Sequence, residues 1–239
     1  MRVPRGRWIA AGLVLALSLI VATFPMRLAL GWSGAGDAGI TARAVHGSVW
    51  SGELADARLG VLPLGTVHAS LSPLALLTGR VELIFARADE RLGALTGRLH
   101  GSHPRGVSDV QGATMLIGGL GVIPLDTLRF EGATARFNGA GKCVEAGGRL
   151  QLVIAAPIAG LDLSRGLSGP LSCVGGRVQA ALASQSGMER LTLAFDGKGA
   201  YRARLAINVD RDPAMAAALA AMGFKAGTGG FVLTTTGRF

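Results

Sequence analysis

Aromatic residues are scarce in this sequence. Phenylalanine, tryptophan and tyrosine make up 5% of the 239 residues, whereas glycine occurs 37 times. Because glycine disfavours helix interiors and here recurs between short apolar runs, this composition argues against a helical bundle. The 49% hydrophobic content suits one moderately large domain with a sizeable core. We therefore expect an all-β domain.

Acidic residues and lysines are also few. The formal net charge is +9, and only Lys142, Lys198 and Lys225 are lysines, so arginine carries most of the positive charge. No basic run is interleaved with aromatic residues, and we therefore expect no nucleic-acid partner. Two interpretations of the positive charge remain. The arginines lie on strand faces that are exposed to water, or these faces lie against anionic lipid head groups or an acidic protein surface.

The sequence lacks the common catalytic and cofactor motifs. It has no G-x-S-x-G nucleophile elbow and no phosphate-binding loop. His100 and His103 form a His-x-x-His pair, but no third ligand stands at a suitable spacing, so we interpret them as exposed loop residues and not as a metal site. We expect no enzymatic activity, no metal and no cofactor.

Only one apolar run is long enough to span a membrane, and it lies near the N-terminus. Residues Trp8 to Met26 carry no ionisable side chain and are long enough to cross a bilayer as a helix. Arg2, Arg5 and Arg7 precede this run without any acidic residue, and the positive-inside bias then keeps residues 1–7 in the cytoplasm. We predict a single-pass transmembrane anchor with the rest of the chain on the far side of the membrane.

A cleaved signal peptide is the alternative interpretation of this run. Its apolar core exceeds the usual ~7–15 residues of a signal sequence, which favours an uncleaved anchor. Pro25 lies near its outer end, where a break in the helix is tolerated. After the anchor at 8–26 we expect a glycine-rich linker at 27–41 and one β-rich domain at 42–239.

Apolar and polar residues alternate with a period of two along much of this domain, which is typical of strands with one buried face. The predicted inward residues are Val67, Ala69 and Leu71; Leu95, Gly97 and Leu99; Leu150, Leu152 and Ile154; Val178, Ala180 and Leu182; Leu191, Leu193 and Phe195; and Tyr201, Ala203, Leu205 and Ile207. One-sided strands separated by glycine turns predict an antiparallel sheet that curves, as in a half-barrel, to bury its apolar face.

Two short helices are predicted within the sheet domain. Ser72 is placed to cap a helical turn that begins at Pro73 and ends at Gly79, and we expect its leucines to pack inward. Asp212 is placed to cap a second helix from Pro213 to Met222.

The two cysteines, Cys143 and Cys173, have matching surroundings. Each is followed by valine and then, with two extra residues in the first copy, by Gly-Gly-Arg, an aliphatic residue and glutamine. This local repeat suggests two similar strands that enter from the same end of the sheet, and it predicts a Cys143–Cys173 disulfide on the exported side of the membrane. A redox-active pair is not favoured, because the spacing is not Cys-x-x-Cys.

Several short stretches resemble a known family. The segment G-S-V-W-S-G-E-L at 47–54, followed by L-G-T-V and L-S-P-L-A-L-L-T-G-R, is similar to the N protein of the bacterial type II (general) secretion system. The resemblance extends over nearly the whole chain. The positions that match the family motifs are Gly47, Trp50 and Gly52, and Pro73, Leu76, Leu77 and Gly79 in the short helix. Ala69 stands where the family often has a tryptophan.

The resemblance implies a non-catalytic accessory component of the type II secretion system, anchored in the bacterial inner membrane with its β domain in the periplasm. The implied partners are other inner-membrane or periplasmic components of that system. Trp50 is then either a packing anchor, the commoner role of a strand tryptophan, or a binding hot spot. The alternative function is a membrane-tethered carrier of lipid or lipopolysaccharide, since the apolar face of a curved sheet is suited to forming a lipid groove.

Overall fold

The computed structural model describes residues 5–33, 40–59, 62–89, 92–115, 126–154, 165–209, 212–227 and 230–238. The helices in this part of the chain are α1 (Arg5–Ala22), α2 (Met26–Ser33), α3 (Pro73–Leu77) and α4 (Pro213–Ala221). None of the helices within these ranges has both the length and the apolar character that crossing a membrane requires.

The predicted anchor and linker correspond to two helices with a break between them. Arg5 and Arg7 lie at the start of α1, and Arg2 lies outside the described residues. Pro25 lies between the two helices. Its nitrogen carries no hydrogen to donate, and this interrupts the helical hydrogen bonds and accounts for the break. The first part of the predicted linker is helical as α2, and residues 34–39 are outside the described ranges.

Fifteen strands form one antiparallel sheet in the described residues. They are β1 (Ile40–Thr41), β2 (Ala44–Ser48), β3 (Ser51–Leu59), β4 (Leu62–Leu71), β5 (Glu82–Asp89), β6 (Gly93–His100), β7 (Arg105–Met115), β8 (Thr127–Phe137), β9 (Cys143–Val153), β10 (Leu167–Val174), β11 (Arg177–Ala183), β12 (Glu189–Phe195), β13 (Ala200–Ile207), β14 (Lys225–Gly227) and β15 (Gly230–Arg238). From β3 to β13 each strand pairs with the next one in the chain.

The two edges of the sheet depart from this simple order. Both β1 and β2 pair with β3 at one edge, and β15 inserts between β13 and β14 at the other. The protein is therefore an antiparallel meander. The prediction of a mostly β protein with a few short helices is confirmed.

The apolar face of the sheet forms the main core. Alternation holds closely in β13, where Ala203, Leu205 and Ile207 are fully buried while Arg202 and Arg204 are exposed. The buried cluster extends from β6 to β13 and includes Leu219 of α4, and partly buried residues of β15 pack against it. The period of two in the sequence therefore located the buried face of these strands correctly.

The helix α3 begins and ends as predicted, but it does not pack its leucines inward. The side chain of Ser72 caps its first turn, and Gly79 follows its end with φ +70°. Leu74 and Leu77 are 77% and 83% exposed, so the predicted inward packing is wrong. This short helix connects the ends of two paired strands and buries none of its residues, whereas Leu219 of α4 is fully buried in the main core.

Cys143 and Cys173 form a disulfide, and their Cα atoms are 5.7 Å apart. Cys143 is the first residue of β9, but Cys173 lies near the end of β10 and not at the start of a strand. The prediction that Cys173 enters a strand beside that of Cys143 is therefore wrong, although β9 and β11, which carry the two copies of the repeat, do run in the same direction. Because β9 and β10 are antiparallel neighbours, the start of one lies beside the end of the other, and this brings the sulfur atoms together.

Candidate functional site

The turn between β2 and β3 joins the N-terminal helices to the sheet. Its two residues are Val49 and Trp50. The backbone N–H of Val49 donates a hydrogen bond of 3.0 Å to the carbonyl oxygen of Phe24, and Pro25 pairs with Ser48 in a β-bridge. The turn therefore holds the segment that links α1 to α2.

Trp50 makes a direct link to α1. It is half-buried, and its indole Nε1 donates a hydrogen bond of 2.8 Å to the carbonyl oxygen of Val21. Val21 lies in the last turn of α1, and the residue four positions further on is Pro25, which has no N–H to donate. The carbonyl oxygen of Val21 accepts instead from Trp50 and from the backbone N–H of Phe24 at 3.3 Å. Trp50 lies in a turn and not on a strand as the sequence suggested. Its contact within the chain favours the packing interpretation over the hot-spot interpretation.

Gly47 and Gly52 lie opposite each other on β2 and β3, at positions where neighbouring atoms approach closely. Gly47 has φ +83°, and a Cβ atom there would lie 2.4 Å from the carbonyl oxygen of Ser51. A Cβ atom at Gly52 would lie 2.1 Å from Sδ of Met26, the first residue of α2. These glycines therefore allow both the tight hairpin and the seating of α2 on the sheet.

Met26 belongs to a second, smaller core beneath α2. Its fully or nearly buried members are Met26, Leu54, Ala57, Val67 and Ala69. The small side chain of Ala69 packs in the same cluster as Met26. The small core gives α2 a fixed position on β3 and β4.

An apolar groove of about 560 Å³ lies between α1 and the start of α3. It is lined by Leu17, Ser18, Val21, Ala22, Trp50 and Pro73. The structure thus brings Trp50 and Pro73 together beside α1, with Gly47 and Gly52 in the adjoining hairpin. Leu76, Leu77 and Gly79 lie at the far end of α3 and do not line the groove.

The two residues of the histidine pair have different surroundings. His100 is the last residue of β6 and is mostly buried, so its assignment to an exposed loop is wrong, whereas His103 is exposed. The Nε2 atom of His100 lies 2.8 Å from Oγ of Ser108. Burial, and next the positive charge of Arg136, lower the pKa of His100, and Glu82 partly opposes them. Among the described residues no three His, Cys, Asp or Glu side chains are grouped to hold a metal ion.

Arg87 is a buried residue that sequence reasoning missed. It is 1% exposed, and its guanidinium donates hydrogen bonds around the turn that joins β5 to β6. The acceptors are the carbonyl oxygens of Leu64, Leu92, Gly93 and Ala113 and the hydroxyl of Thr114. Burial lowers the pKa of Arg87, and the Asp89 carboxylate partly opposes this shift. Its place in the alternation, two positions after Phe85, was the signal that it points inward.

The apolar face of the sheet is packed in the part of the chain that the structure describes. Leu152, Val178, Leu191 and Leu205 have no exposed surface, because other side chains of the chain cover them. The apolar groove lies instead beside α1, and a second depression lies on the polar face of the sheet. The lipid-carrier hypothesis therefore gains no support from the packing.

The fold is an antiparallel meander whose first hairpin contacts the N-terminal helices. The chain is therefore a β protein with a single sheet and a few peripheral helices. The family model of type II secretion system (T2SS) protein N matches residues 38–234, which is most of the chain. The chain belongs to this family, and the family implies a role in type II secretion. Comparisons with curated proteins and with solved structures gave no match.

Proposed function

We propose that this protein is a non-catalytic accessory component of the type II secretion machinery, anchored in the inner membrane with its sheet in the periplasm. The family match over residues 38–234 is the observation that carries the secretion role. The junction supports a role in positioning, because Trp50 and Met26 join the N-terminal helices to the sheet through a hydrogen bond and a small core. The sheet then offers contact surfaces to other inner-membrane or periplasmic components of the machinery.

The membrane part of the proposal is supported by exposed apolar side chains at one end of the molecule. Ile9, Leu13 and Leu15 on α1 are each more than half exposed. Leu74 and Leu77 of α3 are also exposed, and α3 begins at the groove formed with α1. Large apolar side chains exposed together are typical of surfaces that contact lipid or a partner. In this topology residues 1–7 are cytoplasmic and the apolar run that follows crosses the bilayer, with Pro25 and Met26 at its periplasmic end, where they contact the sheet.

The sheet itself is proposed to curve as a half-barrel around the main core. Strands twist relative to their neighbours, and a long meander that buries one face must bend to cover it. The complete burial of Leu152, Val178 and Leu205 supports this curvature. Such a shape leaves the polar face outward for protein contacts.

Photo-crosslinking in living cells tests the secretion role. A photo-reactive amino acid replaces Leu77 on α3 or Val144 on β9, both of which are exposed. We expect light-dependent adducts with other secretion components, and we expect cells that lack the protein to secrete less of the exported substrates. Adducts restricted to unrelated proteins at both positions, together with unchanged secretion, would refute the role.

The topology has a separate test. A reporter that is active only in the periplasm, fused after Phe239, should be active, and the full-length protein should stay with the membrane after carbonate washing. Release of a processed form that lacks residues 1–31 would show that the anchor interpretation is wrong. That result would leave the secretion role standing.

A further inference from the structure

A shallow depression of about 540 Å³ lies on the polar face of β10 to β13. Its charged lining consists of Arg177, Arg202 and Arg204, which are all exposed. Gln179 and Thr192 also line it and add amide and hydroxyl groups. We call this feature the arginine depression. It lies on the opposite side of these strands from the buried face, and its residues therefore do not pack in the main core.

The register of the strands sets the arginines close together. Arg202 lies opposite Ala194 and Arg204 opposite Thr192, so the two arginines are two residues apart on one face of β13. With a rise of about 3.3 Å per residue and strands about 4.8 Å apart, their Cα atoms are about 7 Å apart. Ala194, opposite Arg202, contributes only a methyl group to the lining. Like charges at such spacing repel each other, and a bound anion would relieve this repulsion.

The described residues provide no carboxylate partner for these three arginines. The ion pairs in this part of the chain involve other arginines, namely Arg43, Arg98 and Arg136. Asp196 follows β12 near the depression, but its Oδ1 accepts hydrogen bonds from the backbone of Lys198 and Ala200 and shapes the next turn. The arginine depression is therefore a concentration of positive charge without a paired acid in the part of the chain that the structure describes.

We propose that the arginine depression binds a carboxylate-rich segment of a partner protein. A guanidinium is a planar fork that binds a carboxylate through two parallel hydrogen bonds, which a lysine ammonium does not do. Gln179 and Thr192 supply a donor and acceptor set that suits the peptide groups of an extended segment.

The position of the depression separates it from the proposed membrane contact. Seven strand spacings lie between β4, next to the exposed leucines of α3, and β11, which is about 34 Å measured along the sheet. Val174 is the one exposed large apolar side chain in its lining. The binding of an acidic segment is inferred from the geometry of the depression alone. That this segment belongs to another secretion component rests on the proposed function.

Peptide binding to the full-length protein in neutral detergent tests the proposal. The probe is a fluorescent peptide of twelve residues rich in Asp and Glu, and the matched control peptide has Asn and Gln instead. We expect the acidic peptide alone to bind. The double variant R202Q/R204Q should weaken its binding about tenfold or more, since two bidentate charge pairs are lost.

The control variant R58Q/R80Q removes two exposed arginines elsewhere and changes the net charge by the same amount. It should bind the peptide within about twofold of the unmodified protein, since only general charge is altered. The variant R202K/R204K keeps the charge and should bind less well than the unmodified protein if the guanidinium fork matters. Equal losses in R202Q/R204Q and R58Q/R80Q would overturn the proposal.

Two further measurements separate the other occupants and the proposed function. Inorganic phosphate and vesicles containing phosphatidylglycerol replace the peptide as probes, and binding of either of them without binding of the peptide overturns the proposal. Crosslinks from Leu77 to secretion components without peptide binding refute the site and leave the proposed function standing. Peptide binding without any such crosslinks supports the site and refutes its place in the secretion machinery.

Discussion

Replacing Arg87 by methionine tests how much the hydrogen bonds of one buried guanidinium contribute to the stability of the sheet. The guanidinium provides the donors for four backbone carbonyl oxygens and one hydroxyl on β4, β6, β7 and the turn before β6. Methionine fills much of the same volume but donates nothing. Because four of these acceptors belong to the backbone, no side-chain substitution removes them, and in the variant they lose this donor.

The magnitude follows from the number of acceptors. The four carbonyl oxygens are partly buried, so each should cost about 1 kcal/mol, the lower end of the range for an unsatisfied buried group. We therefore expect Arg87→Met to lower the free energy of unfolding by about 4 kcal/mol, out of a total of about 5–15 kcal/mol for a domain. Arg87→Lys keeps the charge with three donors in place of five and should lose about half as much.

Urea unfolding of the full-length protein in neutral detergent, followed by tryptophan fluorescence and circular dichroism, measures this effect. With a slope of about 2 kcal/mol per molar urea, Arg87→Met should lower the midpoint by about 2 M. Arg58→Met is the control, because Arg58 is exposed on β3 and its loss should change stability by less than about 0.5 kcal/mol. If Arg87→Met matches the control, the carbonyl oxygens do not depend on the guanidinium and the reasoning fails.

Three other perturbations are predicted. Gly47→Ala and Gly79→Ala both place a side chain at positive φ, but only the new Cβ at position 47 would contact a neighbouring carbonyl oxygen. Gly47→Ala should therefore lower the free energy of unfolding more than Gly79→Ala in the same urea assay. Equal losses of stability in the two variants would contradict this. Cys143→Ser or Cys173→Ser should lower stability by about 2–5 kcal/mol, and the oxidised protein should migrate faster than the reduced protein on a gel unless no disulfide forms. Because the pKa of His100 is lowered on folding, its contribution to stability is present above about pH 6.5 and is lost as the pH falls through the folded-state pKa. His100→Gln should therefore make the melting temperature less dependent on pH in this range. A variant whose melting temperature changes with pH as in the unmodified protein would refute the assignment.

The helix–sheet junction shows why sequence alone locates motif residues without explaining them. The G-x-x-W-x-G motif marked Gly47, Trp50 and Gly52 but suggested a tryptophan on a strand. The partner of Trp50 is the carbonyl oxygen of Val21, which lies 29 residues earlier in the chain. Met26 fits against Gly52 only once α2 lies on the sheet. Neither contact has a local pattern, because each depends on how distant segments approach.

Local periodicity predicted which residues of most strands are buried, but it predicted very few of the side-chain contacts between strands. Which residues of β13 and its neighbours are buried could be predicted, because side chains alternate between the faces of any strand. The same rule placed Arg87 inward in line with Phe85, yet the five acceptors around it come from three strands and a turn.

The sequence by itself determined the strands, the caps at Ser72 and Asp212, the family and the pairing of the two cysteines, since each depends on neighbouring residues or on a short motif. Only the tertiary structure decided that β9 and β10 run antiparallel beside the disulfide, that Leu74 and Leu77 are exposed, and that three arginines share one depression. These features depend on strand order and register, which arise from contacts between segments far apart in the chain and leave no periodic signal in either segment.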